Sequence, residues 1–230
     1  MRVELKRIVP TILVVVVGLV ATAAAAAAEY KVEKVGAPPE ELALAMRETL
    51  AAEGVRVVGP EGPLCEIWLQ KAVPTRSNAG MELGIAYPQI AEGTLVGAVR
   101  FLAETNDFRR LRVKPGVYTM RYALHPTDGN HMGVAAQRDF LLLAPAAADA
   151  NPAGMTYNEA VALSRKASGT SHPSVWSLEP ASEEVSEPKL RHKEEENHWV
   201  LELSVHMQAE GGAATTHTVA LVVVGSAPEA

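Results

Sequence analysis

In the stretch FRRLRVKPGVYTMRYAL, Phe108 to Leu124, apolar and polar side chains alternate on both sides of Pro115-Gly116. A period of two marks half-buried strands, and Pro-Gly suits the two central positions of a type II turn. Strand alternation then sets Tyr118, Met120, Tyr122 and Leu124 toward a core. A two-residue turn opposes Leu111 to Met120 on the inner face, and Arg112 to Thr119 and Arg110 to Arg121 on the outer one. A type II turn is not the favoured tight hairpin connection, so a bulge or imperfect pairing is expected beside it.

The same period recurs around this stretch. VRVV (Val55 to Val58), a GPEGP turn and LCEIWLQ read as a hairpin, with Cys65, Ile67 and Leu69 on one side. Met81, Leu83, Ile85 and Tyr87 form another predicted inward face, and Leu95, Gly97, Val99 and Phe101 a third. Phe140 to Leu143 is a short apolar strand. Trp199, Leu201, Leu203, Val205 and Met207 alternate before a Gly211-Gly212 turn and a last strand, Thr215 to Val224. A register that opposes Leu203 to Leu221 and Leu201 to Val223 buries apolar surface continuously, so it is preferred to one that faces His206 with His217.

Two helices interrupt the strands. Pro38-Pro39 leads into EELALAMRETLAAE, an amphipathic pattern of about four turns with Leu42, Met46 and Leu50 on one side and Gly54 beyond its end. Thr156 and Glu159 stand in the capping-box relation and open a helix from Tyr157 to Ala167, with Gly169 past its end. Residues 144–154, rich in Ala, Pro and Asp, read as a linker. Residues 179–197, acidic and nearly devoid of apolar side chains, read as a mobile excursion. Short strands with frequent turn signals favour antiparallel pairing. The predicted fold is therefore α+β, with an antiparallel β-sandwich-like core, an N-terminal helix and a second helix near residue 160.

The chain has 230 residues, 48% hydrophobic and 5% aromatic, with a formal net charge of −6 and one cysteine. That composition excludes a disulfide framework and a cysteine-rich zinc site. Acidic balance argues against nucleic acid, whose affinity comes from Lys and Arg against phosphate. Residues 1–28 carry Arg2, Lys6 and Arg7, an apolar run from Ile12 to Val20 and an Ala-rich end, the pattern of a cleaved signal peptide. Cleavage there leaves a single exported domain, residues 29–230, that is periplasmic or secreted; its charge is 18 basic against 26 acidic groups, or −8. The alternative is an uncleaved N-terminal anchor, since residues 8–28 reach the length of a membrane span of about 20 residues. Only in that case is a membrane contact expected.

RVKPGVYTMRYAL resembles the Pro-Gly-x-Tyr strand of transthyretin-like and carboxypeptidase-regulatory-like β-sandwich modules of exported proteins. Together with LCEIWLQKAVP and LSRKASGTSHPSVWSL, it also looks like an uncharacterised exported bacterial family over most of the chain. The resemblance implies a sandwich-like core and brings no ligand, activity or catalytic residue with it.

Two constellations carry candidate chemistry. Arg110, Arg112 and Arg121, with Lys114 at the turn, make a basic face on an acidic protein. Like charges directly opposed are unfavourable unless an anion lies between them. Such an anion is either a carboxylate of the 183–196 acidic run or an external partner, an anionic glycan or an envelope protein held by bidentate Arg contacts. His125, Asp128 and His131, beside Met132 and Asp139, form the second: converging, they would hold copper or zinc, although the spacing matches no standard closed site and Asp128-Gly129 is also an ordinary turn. No other cofactor is implied. Cys65 reads as a buried small hydrophobe, and His192 and His198 as solvated. Ser168, Thr170, Ser171 and His172 are explained by capping and turn formation, and no nucleophile elbow or phosphate loop is present. The function expected is a non-enzymatic binding or accessory module, with a metal-handling protein or metal-dependent enzyme at His125 and His131 as the alternative.

Overall fold

A computed structural model of the protein describes residues 30–77, 80, 82–127 and 137–227. Its strands are β1 (Lys31–Val35), β2 (Gly54–Gly59), β3 (Gly62–Leu69), β4 (Val73–Thr75), β5 (Leu95–Phe101), β6 (Thr105–Asn106), β7 (Arg112–Val113), β8 (Gly116–Leu124), β9 (Asp139–Pro145), β10 (Val175–Glu179), β11 (Lys189–Lys193), β12 (His198–Ala209) and β13 (Thr215–Val224). The helices are α1 (Leu44–Thr49) and α2 (Tyr157–Ser168). The fold is thus more nearly all-β than the α+β class expected. Ten strands follow one antiparallel path, β1-β2-β3-β5-β8-β9-β10-β13-β12-β11, and β4 joins β12 in parallel. The sheet curls until β1 and β11 approach each other, with the Tyr30 and Trp199 rings 4.7 Å apart at that seam.

Alternation sorts the side chains as the sequence patterns require. Met120 and Tyr122 on β8, Leu141 and Leu143 on β9, and Leu201 to Met207 at every second position of β12 fill the concave side. The convex side is buried as well. Ala123, Phe140, Leu142, Val200 and Val222 lie with Ala160 and Val161 of α2, while Trp68, Leu95 and Ala98 lie with Leu42, Met46 and Leu50 around α1. A bulge between Leu95 and Gly97 shifts the phase of β5, so Leu95 faces outward and Val96 takes its place in the interior.

Several expectations change in the folded chain. Pro115-Gly116 does not close a hairpin: β8 pairs with β5 and β9, whereas β7 pairs with β6. The cause is Asp107, whose carboxylate accepts from Arg109 N and Leu111 N and curls residues 107–111 into a turn. Residues 82–94 form no strand; their turns cover part of the interior with Tyr87 and Ile90 while Leu83 is fully exposed. The predicted four-turn helix shortens to α1, because Leu50 leaves it to bridge Gln70 and Ala51 N donates to Leu69 O. α2 has the expected capping box, with Gly169 left-handed at its end. β12 and β13 oppose Leu203 to Val219 and His206 to Thr216, two residues from the expected register. An even shift keeps every side chain on its predicted face.

Neither the linker nor the acidic excursion is loose. Residues 144–154 finish β9, make a 3-10 turn at Ala146–Ala148 and bury Asp149. Within 179–197, β11 pairs with β12 along its whole length. Glu202, fully buried, accepts from Ser182 N, Ser182 Oγ and Arg191 Nε and so ties the preceding loop to the sheet.

The polar centre of the fold is Arg121, fully buried on the convex face of β8 between Leu95 and Leu142. Its Nε and Nη2 donate to the two oxygens of Asp149 at 2.7 and 2.8 Å. Nη1 donates to Gly93 O and Ala153 O, and Nη2 also to Asn151 O. All five guanidinium N–H groups are therefore satisfied. Gly93 stands at φ 80°, with the Met155 carbonyl where a Cβ would lie, so the residue there must be glycine. Removing one partner of a buried pair strands the other charge. Arg121→Met is expected to lower unfolding stability by about 3–5 kcal/mol in chemical denaturation, and Arg121→Met with Asp149→Leu to recover most of that loss.

Candidate functional site

Arg110, Arg112 and Arg121, predicted to share one face, separate in the fold. Arg121 is inaccessible and neutralised by Asp149, so it cannot touch a ligand and is corrected to a structural residue. The carboxylate that neutralises it comes from the presumed linker and not from the 183–196 acidic run. Arg110 and Arg112 remain exposed, on the arm between β6 and β8. Arg110 sits in the left-handed region at φ 61° and donates from Nε to Ser226 Oγ at 3.3 Å. Arg112 Nε lies 3.4 Å from Glu104 Oε1, and both side chains are largely exposed.

That arm walls a pocket of about 280 Å³ at one end of the curled sheet. Tyr30, Phe101, Phe108 and Trp176 supply its aromatic surface, and Glu104 and Asn106 its polar edge. Phe101 comes from the end of β5 and Trp176 from β10, with ring centroids 5.6 Å apart. Phe108 is held from two directions. Asp107 accepts from Val175 N and so fixes the arm to β10, while Phe108 N donates to Val175 O. On the other side Ala227 N donates to Phe108 O, which brings the C-terminal tail across the arm. His198, read from sequence as solvated, is buried beneath that tail, its ring edge against Phe108 and its Nε2 3.1 Å from Ser226 O. His192 likewise stacks on Trp199, with centroids 4.5 Å apart.

Electrostatics in the pocket follow from burial. Cys65 lines the pocket floor, and desolvation, with Glu66 next in the chain, pushes its thiol up to about 12. A thiol held protonated is an inert wall and not a nucleophile. Burial also raises the Asp107 carboxyl, against the opposing pull of the Val175, Leu111 and Arg109 N–H groups. Glu104 is engaged by Arg112.

The remaining candidates divide. His125 stacks on Phe140, with centroids 4.4 Å apart, and its backbone N–H donates to Arg138 O. Asp128, His131 and Met132 lie outside the described residues, as does the signal-like segment 1–28. Asp139 is fully buried and accepts from Ala86 N, Tyr87 N and Tyr122 Oη, so it ties the loop before β5 to β8. Among the described residues, no group of three or more His, Cys, Asp or Glu converges as a metal site. Ser168 Oγ meets the carbonyl of His172 and not its ring, at the end of α2. Among the described residues no helix is long and apolar enough to cross a membrane.

Sequence reasoning identified the basic arm but missed the pocket, which assembles from the ends of β3, β5, β10 and β13 and from the chain just before β1. The available signal was the Asn106-Asp107 pair, a turn dipeptide just before the stretch read as strand. Compared with protein-family models, curated proteins and solved structures, the chain finds no match in any of the three.

Two measurements test this geometry. Cys65 is expected to resist a thiol-specific reagent in folded protein at pH 8 and to react fully once denatured. For Asp107 the raised carboxyl makes protonation favour the folded state. That contribution is complete below the unfolded value of about 4 and is lost as pH rises through the higher folded value. The stability of the protein relative to Asp107→Asn should therefore decline with rising pH across the acid range.

Proposed function

We propose that the protein is an exported, non-enzymatic binding or accessory module, in which the curled sheet acts as a sandwich-like scaffold and the pocket at one end is the ligand site. The observation that carries this reading is the aromatic wall of Tyr30, Phe101, Phe108 and Trp176, open on a polar edge at Glu104 and Asn106. Concave, mostly apolar sites with a few oriented polar groups at the mouths of curled sheets are where small ligands bind. Rigid strand ends hold Phe101 and Trp176, and the Asp107 bonds hold Phe108, so little ordering is left for binding to cost. The groups at hand suit binding better than chemistry: a protonated buried thiol and a carboxylate already paired. Export is supported by the signal-like pattern of residues 1–28.

Ala103 lies exposed on the pocket wall. Ala103→Trp should fill the cavity without disturbing the fold. A fragment screen by ligand-observed NMR is expected to return small aromatic or apolar compounds that bind the protein and fail to bind Ala103→Trp. Equal binding to both proteins would place the site elsewhere.

A further inference from the structure

The wall of the pocket presents no unpaired charge. Among the described residues Glu104 is its one charged member, and Arg112, which is not part of the wall, already engages that carboxylate. Cys65 on the floor stays protonated, and Thr105 and Asn106 beside Glu104 are polar and neutral. Burying an ion is costly where no counter-charge meets it. A ligand whose body enters the aromatic part of the cavity is therefore favoured when it carries no charge.

One polar group of the wall lacks a protein partner. Trp176, 5% exposed, belongs to the interior of the curled sheet and lines the pocket. Among the described residues no acceptor takes its Nε1–H, nor is that atom sealed from solvent. Trp68 is the contrast: 2% exposed, it donates from Nε1 to Gly36 O at 2.8 Å. Buried polar groups are paired in the great majority of cases, and an indole nitrogen only donates. Phe101 packs against the Trp176 ring, with centroids 5.6 Å apart, and Leu141 stands opposite it on β9. The cavity is the side from which an acceptor reaches the indole.

We infer, on the reading that this pocket is the ligand site, that it takes a small uncharged aromatic carbonyl compound whose oxygen accepts from Trp176 Nε1. Phe101 and Phe108 then contact the ligand ring. At about 280 Å³ the cavity lies at the small end of ligand sites, which begin near about 300 Å³, so it holds one ring with a short substituent. The thiol of Cys65, held protonated, leaves the carbonyl unreacted, in keeping with binding without chemistry. The indole fixes where the acceptor lies, and the uncharged wall selects neutral ligands.

The test uses four compounds of one shape: acetophenone, α-methylstyrene, benzoate and benzamidinium. In each a phenyl ring carries one planar carbon with two substituents, so size stays constant while charge and acceptor vary. Binding is followed by NMR through the amides of residues 103–106 and the indole N–H signals. Acetophenone is expected to move the Trp176 indole proton downfield and slow its exchange with solvent, with the Trp68 signal unchanged. With no acceptor, α-methylstyrene should shift the amides and leave indole exchange as it was. The two also differ in hydrophobicity, so affinities are compared through Trp176→Phe, which removes the N–H and keeps a ring. That substitution should weaken acetophenone about fivefold relative to α-methylstyrene, the worth of one hydrogen bond. Benzoate and benzamidinium are expected to bind at least about tenfold more weakly than acetophenone. Should Trp176→Phe fold poorly, the indole response of the unaltered protein decides: the same response to acetophenone and α-methylstyrene would overturn the hydrogen bond. Tighter binding of either ion would overturn the neutral assignment and leave the pocket standing. Absence of any shift with all four compounds would overturn the pocket as well.

Discussion

Arg121 stands in the middle of β8 with five N–H groups and five acceptors, all of them protein oxygens. The sheet imposes this requirement. Because its concave side encloses the core and its convex side is covered by α1, α2 and loops, a charged residue on a central strand has no solvent to turn to. The cost of desolvating a guanidinium is met only by complete pairing. Asp149 therefore has to be brought in from residues 144–154, and the carbonyls of Gly93, Asn151 and Ala153 with it. One ion pair thus determines the path of two connecting segments.

The same logic repeats at other buried carboxylates. Asp139 collects the N–H groups of Ala86 and Tyr87 and the Tyr122 hydroxyl, holding the loop before β5. Glu202 collects Ser182 and Arg191 and fixes the chain between β10 and β11. Asp107 collects three N–H groups and fixes the arm that walls the pocket. Each offsets loop entropy with hydrogen bonds that satisfy buried N–H groups. The pocket follows from this arrangement, since Phe108 and Arg110 owe their positions to Asp107.

Legibility in the sequence varied with the range of the interaction. The strands Met120–Tyr122 and Leu201–Met207, and the capping box at Thr156 and Glu159, were readable because side-chain period and capping chemistry act within a few residues. The Pro115-Gly116 hairpin was not, since Gly116, at φ 148°, already opens β8 and the partner strand is not the adjacent one. Asp107, 68 residues from Val175 in sequence, chose the alternative. The segment 179–197 looked mobile because it is acidic and nearly devoid of apolar side chains, yet Glu179 meets Lys193 and Arg191 meets Glu202 once β11 has paired with β12.

The sequence alone determined that this is a chain of short antiparallel strands with two helices, a buried Cys65, and an uneven spread of charge with cations gathered near Arg110. Period and composition carry that much, and both are local. Tertiary structure decided which cations belong to the core and which to the surface, moving Arg121 inside and leaving Arg110 and Arg112 exposed on the arm before β8. It also decided that the strand ends of Phe101 and Trp176 meet beside Phe108. The physical reason is that curling a sheet brings distant strand ends together and removes water from both of its faces, and neither event is written in the spacing of neighbouring residues.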